Sequence, residues 1–189
     1  MISNIGSGGE TYDLLPEKQI HVDLVVSRLI AQRGIVSDAM QLPLKSECVG
    51  AAICVGSVVN HCDAERVISE LARVVRSGGT IALEFDSSDG LHHLRTGLRG
   101  TDAAVVQTFY NGTTVGLTEY SVQHIINIAQ RVGIHVYARD SFHILSAAGL
   151  ALGLPPPLAA LMAALDPVAQ RFPKLQLAGS NVMLFGSRS

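Results

Sequence analysis

The sequence predicts an α/β fold in which a mostly parallel β-sheet lies between two layers of helices. Three observations point to this fold: apolar strand-like segments alternate with amphipathic ones, the apolar run at 50–58 is nearly unbroken, and glycines or acids follow the first strands. Unbroken apolar runs are typical of parallel strands covered on both faces, and strands that alternate with helices predict right-handed β-α-β crossovers. We therefore expect a Rossmann-like three-layer α/β/α sandwich with seven strands, the last of them antiparallel.

The first half of the chain should supply five of these strands. We predict them at 1–5, 19–24, 34–38, 50–58 and 80–85. A helix is predicted between Asp63 and Arg76, because apolar residues recur there at helical spacing. Asp63 is placed to cap this helix, and Gly78-Gly79 to stop it.

The second half should complete the sheet. Asn111-Gly112, between two apolar segments, predicts a tight β-hairpin. Ser121 is placed to cap a helix that ends at Gly133. The remaining predicted elements are a sixth strand at 134–145, a helix from about 158 to 171 and a last strand at 181–186.

Length and charge limit the possible functions. A chain of 189 residues suits one domain, and we expect that domain to span 1–189. Its formal net charge is −2, and no long block of Lys or Arg interrupts it. Because nucleic-acid partners require a basic surface, we expect no nucleic-acid partner.

The segment from Ile144 to Leu165 is the one candidate for a membrane span, since it lacks charged residues and is rich in Leu and Ala. Pro155-Pro156-Pro157 divides it, and three missing amide donors prevent one continuous helix. We therefore predict no membrane span. The N-terminus has no basic region followed by an apolar stretch, so secretion is not predicted either.

The three cysteines suit a reduced protein. Their number is odd and they form no Cys-x-x-Cys pair, which predicts free, mostly buried thiols and a cytoplasmic location. Cys54, His61 and Cys62 are poorly spaced for zinc, so no metal site is expected.

The residues at the ends of the first strands carry the chemistry. The turn Gly6-Ser7-Gly8-Gly9 comes directly after the first strand, and its lack of Cβ atoms lets the backbone pass close to a ligand. Asp23 ends the second strand and Asp38 ends the third. An acid after the second strand of such a sheet is placed to accept hydrogen bonds from ribose hydroxyls.

In this order, with Asp38-Ala39 before Leu42-Pro43 and with Arg-Val-Val-Arg-Ser-Gly-Gly at 73–79, the chain resembles the class I S-adenosylmethionine-dependent methyltransferases over roughly 2–85. The resemblance implies S-adenosylmethionine as cofactor and methyl transfer by in-line attack. It also implies that the glycine turn contacts the methionine part, the next two acids hold ribose and adenine, and residues after the fourth strand line the transfer site. The implied cofactor residues are Gly6, Gly8, Gly9, Asp23, Asp38, Ala39, Cys54, Val55, Gly56 and Ser57.

Three departures from the family pattern leave alternatives open. Asn4 stands where the family often has an acid, and the link from Gly9 to Asp23 leaves little room for a first helix. The sequence also starts on the first strand, so either this member is short or we expect another subunit or the C-terminal segment to close the pocket. A catalytically degenerate binding or assembly module is the main alternative. A nicotinamide-dependent oxidoreductase is disfavoured because Thr11 replaces a third glycine.

The acceptor is predicted only by class. With no basic patch and an apolar C-terminal segment, we expect a small, partly apolar molecule held by variable regions at 87–119 and 146–178. His61 is the candidate general base where the acceptor must lose a proton, and a structural role for this histidine is the alternative. The apolar segment also suits a homodimer contact.

Overall fold

The computed structural model describes residues 1–12, 14, 16–29, 34–110 and 112–189. Its strands are β1 Ile2–Ile5, β2 Gln19–Asp23, β3 Gly34–Val36, β4 Val49–Cys54, β5 Val75–Asp86, β6 Ala103–Tyr110, β7 Thr113–Tyr120, β8 Ile134–Phe142 and β9 Asn181–Arg188. Its α-helices are α1 Ala64–Val74, α2 Val122–Arg131, α3 Ile144–Ala151, α4 Pro156–Met162 and α5 Asp166–Ala169.

Seven strands form the main sheet in the order β3-β2-β1-β4-β5-β9-β8, and β6 pairs with β7 in a separate sheet. The first five strands are parallel to one another, and one strand of the seven is antiparallel. This confirms the predicted Rossmann-like sheet. It also brings the carboxyl ends of β1, β2, β3, β4 and β5 to one edge, which we call the carboxyl edge.

The described residues cluster into two compact units. The first unit comprises 1–84, 127–138 and 184–189, and the second comprises 85–126 and 139–183. One domain spanning 1–189 stays a prediction. Among the described residues, no helix is long and apolar enough to cross a membrane.

In the first unit, α1 begins as the sequence predicts. The Asp63 Oδ1 atom accepts a hydrogen bond from the Arg66 amide at 3.1 Å, and the apolar face of the helix is fully buried. The predicted stop at Gly78-Gly79 is wrong, because α1 ends at Val74 and β5 begins with the next residue. The two glycines lie where the pairing register between β4 and β5 shifts, as in a β-bulge.

Three further predicted boundaries need correction. The strand predicted at 134–145 ends at Phe142, because α3 begins at Ile144. The strand predicted to reach Val58 ends at Cys54, because Ser57 has a left-handed φ of 58° and a 3-10 helix follows at Val58–His61. The single helix predicted from about 158 to 171 is divided into α4, a 3-10 turn and α5. Pro167 lies in the first turn of α5 and has no amide to continue the preceding helix.

The second unit contains the predicted hairpin. Strands β6 and β7 pair antiparallel from Ala103 opposite Tyr120 to Tyr110 opposite Thr113. Gly112 has the positive φ of 80° that such a turn needs, while Asn111 lies outside the described residues. Strand pairing on both sides of the turn confirms the hairpin.

Candidate functional site

The glycine turn and Asp23 meet at the carboxyl edge, in the first unit. The Gly6 amide donates to the Val22 carbonyl at 2.7 Å, which fixes the start of the turn against β2. The Gly8 amide donates to Asp23 Oδ2 and the Val25 amide to Asp23 Oδ1, each at 2.8 Å. Asp23 is half-buried, and each carboxylate oxygen can accept a further hydrogen bond.

Gly6 and Gly8 are needed for different reasons. Gly6 has a φ of +65°, and a Cβ there would overlap the Val58 side chain. Gly8 has a φ of +57° with nothing within 4 Å of a Cβ position, so its surroundings are open. Left-handed backbone disfavours other residues at both positions. The turn thus packs against the protein at Gly6 and leaves room beside Gly8.

Asp38 and Ala39 follow β3 at the same edge. The Ser37 amide donates to the Asp23 carbonyl at 3.1 Å, which holds the end of β3 beside the end of β2. Asp38 Oδ1 accepts from the Met40 amide at 2.8 Å and so forms a tight turn. Burial, together with the negative charge of Asp38 and of Asp63, raises the pKa of Cys62. Asp38 therefore lies near the segment that comes after β4.

The segment after β4 is positioned by an acid that our sequence analysis missed. Glu84, near the end of β5, accepts a hydrogen bond from the Gly56 amide at 2.5 Å and is itself buried. Cys54 is fully buried, and burial together with Cys62 and Glu84 raises the pKa of its thiol to about 12. The thiol is therefore neutral near pH 7. Of the residues that follow, Gly56 is exposed and Val55 and Ser57 are half-buried. An acid ending an apolar strand was the available signal for Glu84.

Two buried amide side chains anchor the crossover from β1 to β2. Asn4 Nδ2 donates to the Glu10 carbonyl at 2.7 Å, and Gln19 Nε2 donates to two carbonyls of the crossover, at 2.9 Å and 3.2 Å. Within the described part of this crossover, the helical structure is a 3-10 turn at Pro16–Lys18. Asn4 stands where the family often has an acid. Together with Gln19, it provides hydrogen-bond donors to crossover carbonyls that a longer helix would pair with its own amides.

Tyr12 is another side chain at the carboxyl edge that the sequence analysis missed. Partial burial and the nearby acids Glu10 and Glu84 raise the pKa of Tyr12, and Cys54 contributes. The phenol therefore lies near the ends of β4 and β5. His61, the candidate general base, ends the 3-10 helix after β4 with an exposed side chain, and its catalytic role stays a prediction.

The chemistry of this edge fits a nucleoside-bearing cofactor. Asp23 and Asp38 offer acceptor oxygens at adjacent strand ends, and the space beside Gly8 is open. The cofactor roles of the ten implied residues stay predictions. Two of them, Ala39 and Cys54, have buried side chains.

The second unit contains two cavities of different chemistry. One, of about 540 Å³, is lined by charged residues that include Arg99, Arg139, Lys174 and Asp89. The other, of about 440 Å³, is mainly apolar. Its lining comprises Ala147, Leu150, Pro156, Ala160 and Ala163 with the polar residues His92, His143, Ser146 and Ser180.

Part of the chain is similar to a known protein family. Residues 18–83, about a third of the chain, match the family described as a methyltransferase domain. This stretch contains Asp23, Asp38 and the segment after β4. No curated protein matches the chain.

Solved structures share the fold at low sequence identity. A putative S-adenosylmethionine-dependent methyltransferase from Listeria monocytogenes is 7% identical with a TM-score of 0.68, over 100% of this chain and 90% of that one. A methyltransferase of the same cofactor class from Mesorhizobium loti is 13% identical with a TM-score of 0.62, over 99% and 90%. Geranyl diphosphate C-methyltransferase from Streptomyces coelicolor A3(2) is 10% identical with a TM-score of 0.60, over 100% and 70%. The resemblance to class I methyltransferases, whose cofactor is S-adenosylmethionine, is confirmed.

Proposed function

We propose that this chain, a class I methyltransferase by its matched domain and its fold, transfers a methyl group from S-adenosylmethionine to a small, partly apolar molecule. The observation that carries the proposal is the hydrogen bond from the Gly8 amide to Asp23. It unites the glycine turn with the acid of the second strand at the carboxyl edge. The turn is open beside Gly8, where nothing lies within 4 Å of a Cβ position.

In this proposal the chain mainly binds and orients. Asp23 accepts hydrogen bonds from ribose hydroxyls, while Asp38 and the Ala39 amide hold the adenine. The open turn at Gly8 admits the methionine part. When bound, the cofactor supplies a methyl group already activated by its sulfonium, so positioning of the acceptor provides much of the rate.

Calorimetric titration with S-adenosylhomocysteine tests cofactor binding. Asp23→Ala should weaken binding by about 1–3 kcal/mol, because it leaves ribose hydroxyls without an acceptor. Glu17→Ala, an exposed acid in the first unit, is the matched control and should bind like the unmodified protein. Absence of binding to the folded, unmodified protein would contradict the proposal.

The acceptor part of the proposal is supported by the apolar cavity of about 440 Å³. Its lining comes from both predicted variable regions, with His92 from 87–119 and Ala163 from 146–178. A cavity that is mainly apolar with a few polar groups suits a small organic acceptor. The charged cavity, with three cations and one acid, would instead suit a carboxylate or phosphate.

Neighbouring alanines allow a matched test of the acceptor cavity. Ala163 lines it, whereas Ala164 is exposed and is not among the lining residues. The assay follows transfer of labelled methyl to a panel of phenols, amines, apolar alcohols and carboxylic acids. Ala163→Trp should abolish turnover of the apolar acceptors and Ala164→Trp should not. Turnover restricted to carboxylic acids, or equal turnover by both variants, would contradict this placement.

Three further predictions belong to this proposal. His61→Ala should slow methyl transfer only to acceptors that lose a proton, such as phenols, and should leave transfer to thioethers unchanged.

The exposed leucines Leu158 and Leu161 support the predicted homodimer contact. Light scattering should then report a dimer that Leu161→Glu dissociates, and a monomeric unmodified protein would contradict the contact. A cytoplasmic location, which the free cysteines support, is testable by cell fractionation.

A binding module without catalysis is the second candidate. Val58 favours it, since its side chain already fills the space against Gly6, where the backbone would otherwise lie open to a ligand. The two functions differ in turnover. A module would bind S-adenosylhomocysteine weakly or not at all and would methylate nothing in the acceptor panel.

A further inference from the structure

Two histidines and one glutamate converge within the second unit. His92 and His93 belong to a 3-10 helix at Leu91–His93, and Glu119 lies near the end of β7. The Nε2 atoms of both rings approach the same carboxylate oxygen, Oε2 of Glu119, at 3.1 Å and 2.5 Å. One ligand atom from each residue lies within 4.8 Å of the other two. Donor atoms at these separations can be bridged by a single ion after small side-chain movements.

The cluster is largely buried. Glu119 is 7% exposed and His93 is 5% exposed, while His92 is half-buried. A buried carboxyl group between two imidazoles supplies the donor types of a transition-metal site.

The ring nitrogens are oriented for this role. His93 Nδ1 lies 2.9 Å from Thr96 Oγ1, so the other ring nitrogen points to Glu119. Hydrogen bonds of this kind fix the ring orientation of metal-binding histidines. Among the described residues His92 Nδ1 has no partner, so Nε2 is the nitrogen of that ring with a polar neighbour.

We propose that His92, His93 and Glu119 bind a divalent first-row transition metal, for which Zn²⁺ is the best match. Two imidazole nitrogens and one carboxylate oxygen are typical zinc ligands, and three protein ligands leave a coordination position open. His92 also lines the apolar cavity. The open position therefore offers a binding point for a hydroxyl, thiol or amine of a molecule in that cavity. This site does not depend on the proposed methyl transfer.

The test uses the full chain without a histidine tag, stripped with a chelator and titrated with Zn²⁺, Co²⁺ and Mg²⁺. We expect one Zn²⁺ per chain, a raised melting temperature and visible absorption bands with Co²⁺. Mg²⁺ should bind far more weakly, because it prefers ligand sets made of oxygen. Failure of the folded chain to bind Zn²⁺, or equal affinity for Mg²⁺, would overturn the proposal.

Substitutions of the proposed ligands test whether Zn²⁺ binds at these residues. Glu119→Gln and His92→Gln should each weaken Zn²⁺ binding at least about 100-fold, since outer-shell partners alone contribute about 10- to 100-fold. His135→Gln, on the exposed face of β8, is the matched control and should leave affinity unchanged. Should Glu119→Gln fail to fold, the less buried His92 decides the test. Unchanged Zn²⁺ affinity in His92→Gln would overturn the proposal and assign the ion to other groups, such as Cys48 or Cys62.

Discussion

The two units form their candidate sites in different ways. In the first unit, the site consists of residues at the carboxyl ends of the strands: a glycine turn, Asp23 and Asp38, all held by backbone hydrogen bonds. In the second, side chains from separate elements meet in the interior, as when Glu119 contacts His93 across 26 residues of sequence. The comparison teaches that parallel strand topology brings the parts of the first site to one edge, whereas packing between separate elements assembles the second.

The largest expected effect tests the backbone-built site. Gly6→Ala should lower the free energy of unfolding by about 2–5 kcal/mol, since left-handed backbone costs about 1–2 and overpacking about 1–3. The matched variant Gly8→Ala should incur only the backbone cost, because the space beside Gly8 is open. Denaturant titration measures both. Equal losses would show that Val58 does not press on Gly6.

The second prediction concerns the side-chain contacts of the second unit. The buried Asp166 accepts hydrogen bonds from the amides of Ile144 and Leu145, at 3.0 Å and 2.9 Å, and so caps α3 from a distant element. Asp166→Ala should destabilise the protein by about 1–3 kcal/mol, because these buried amides lose their acceptor. Denaturant titration should show a much smaller loss for the exposed Asp102→Ala. Equal losses would contradict this cap.

The smallest effect is a pH dependence in the first unit. Hydrogen bonds from the Arg73 guanidinium, together with one from the Leu42 amide, hold the pKa of Glu70 below its usual range although burial opposes this. Its contribution is therefore present above the unfolded pKa of about 4.3 and is lost as pH falls through the lower native value. Glu70→Gln should cost about 1 kcal/mol or less at pH 7, because Arg73 is partly exposed.

Denaturant titration at several pH values checks this prediction. The difference between the unmodified protein and Glu70→Gln should shrink as pH falls from about 5 toward 3. Arg66→Gln, an exposed residue of α1, serves as the control and should show a difference that does not change with pH. A difference for Glu70→Gln that stays constant down to pH 3 would contradict the account.

Much of the first unit was predictable because its signals are local. Alternating apolar segments gave the strands, and Asp63 marked the start of α1. The errors arose where a local signal has two meanings: Gly78-Gly79 fits a helix stop as well as a bulge, and nothing in the apolar run to Val58 showed that Ser57 would adopt a left-handed turn. Glu84 had a strand-end signal that was overlooked.

The second unit was less predictable because its contacts are not periodic. Asn111-Gly112 predicted the hairpin. No rule based on sequence spacing predicts the contact of His93 with Glu119 or that of Asp166 with Ile144. Such pairs form only when packing brings their elements together, and the desolvation of the carboxylates then makes the hydrogen bonds necessary. The sequence analysis accordingly predicted no metal site.

Hydrogen exchange measured with and without S-adenosylhomocysteine tests most directly whether the carboxyl edge of the first unit is the cofactor site. We predict slower exchange of amides at 6–9, 23–25, 38–40 and 55–57, with the protection lost in Asp23→Ala. Binding without protection at these segments, or protection that Asp23→Ala leaves intact, would contradict the account.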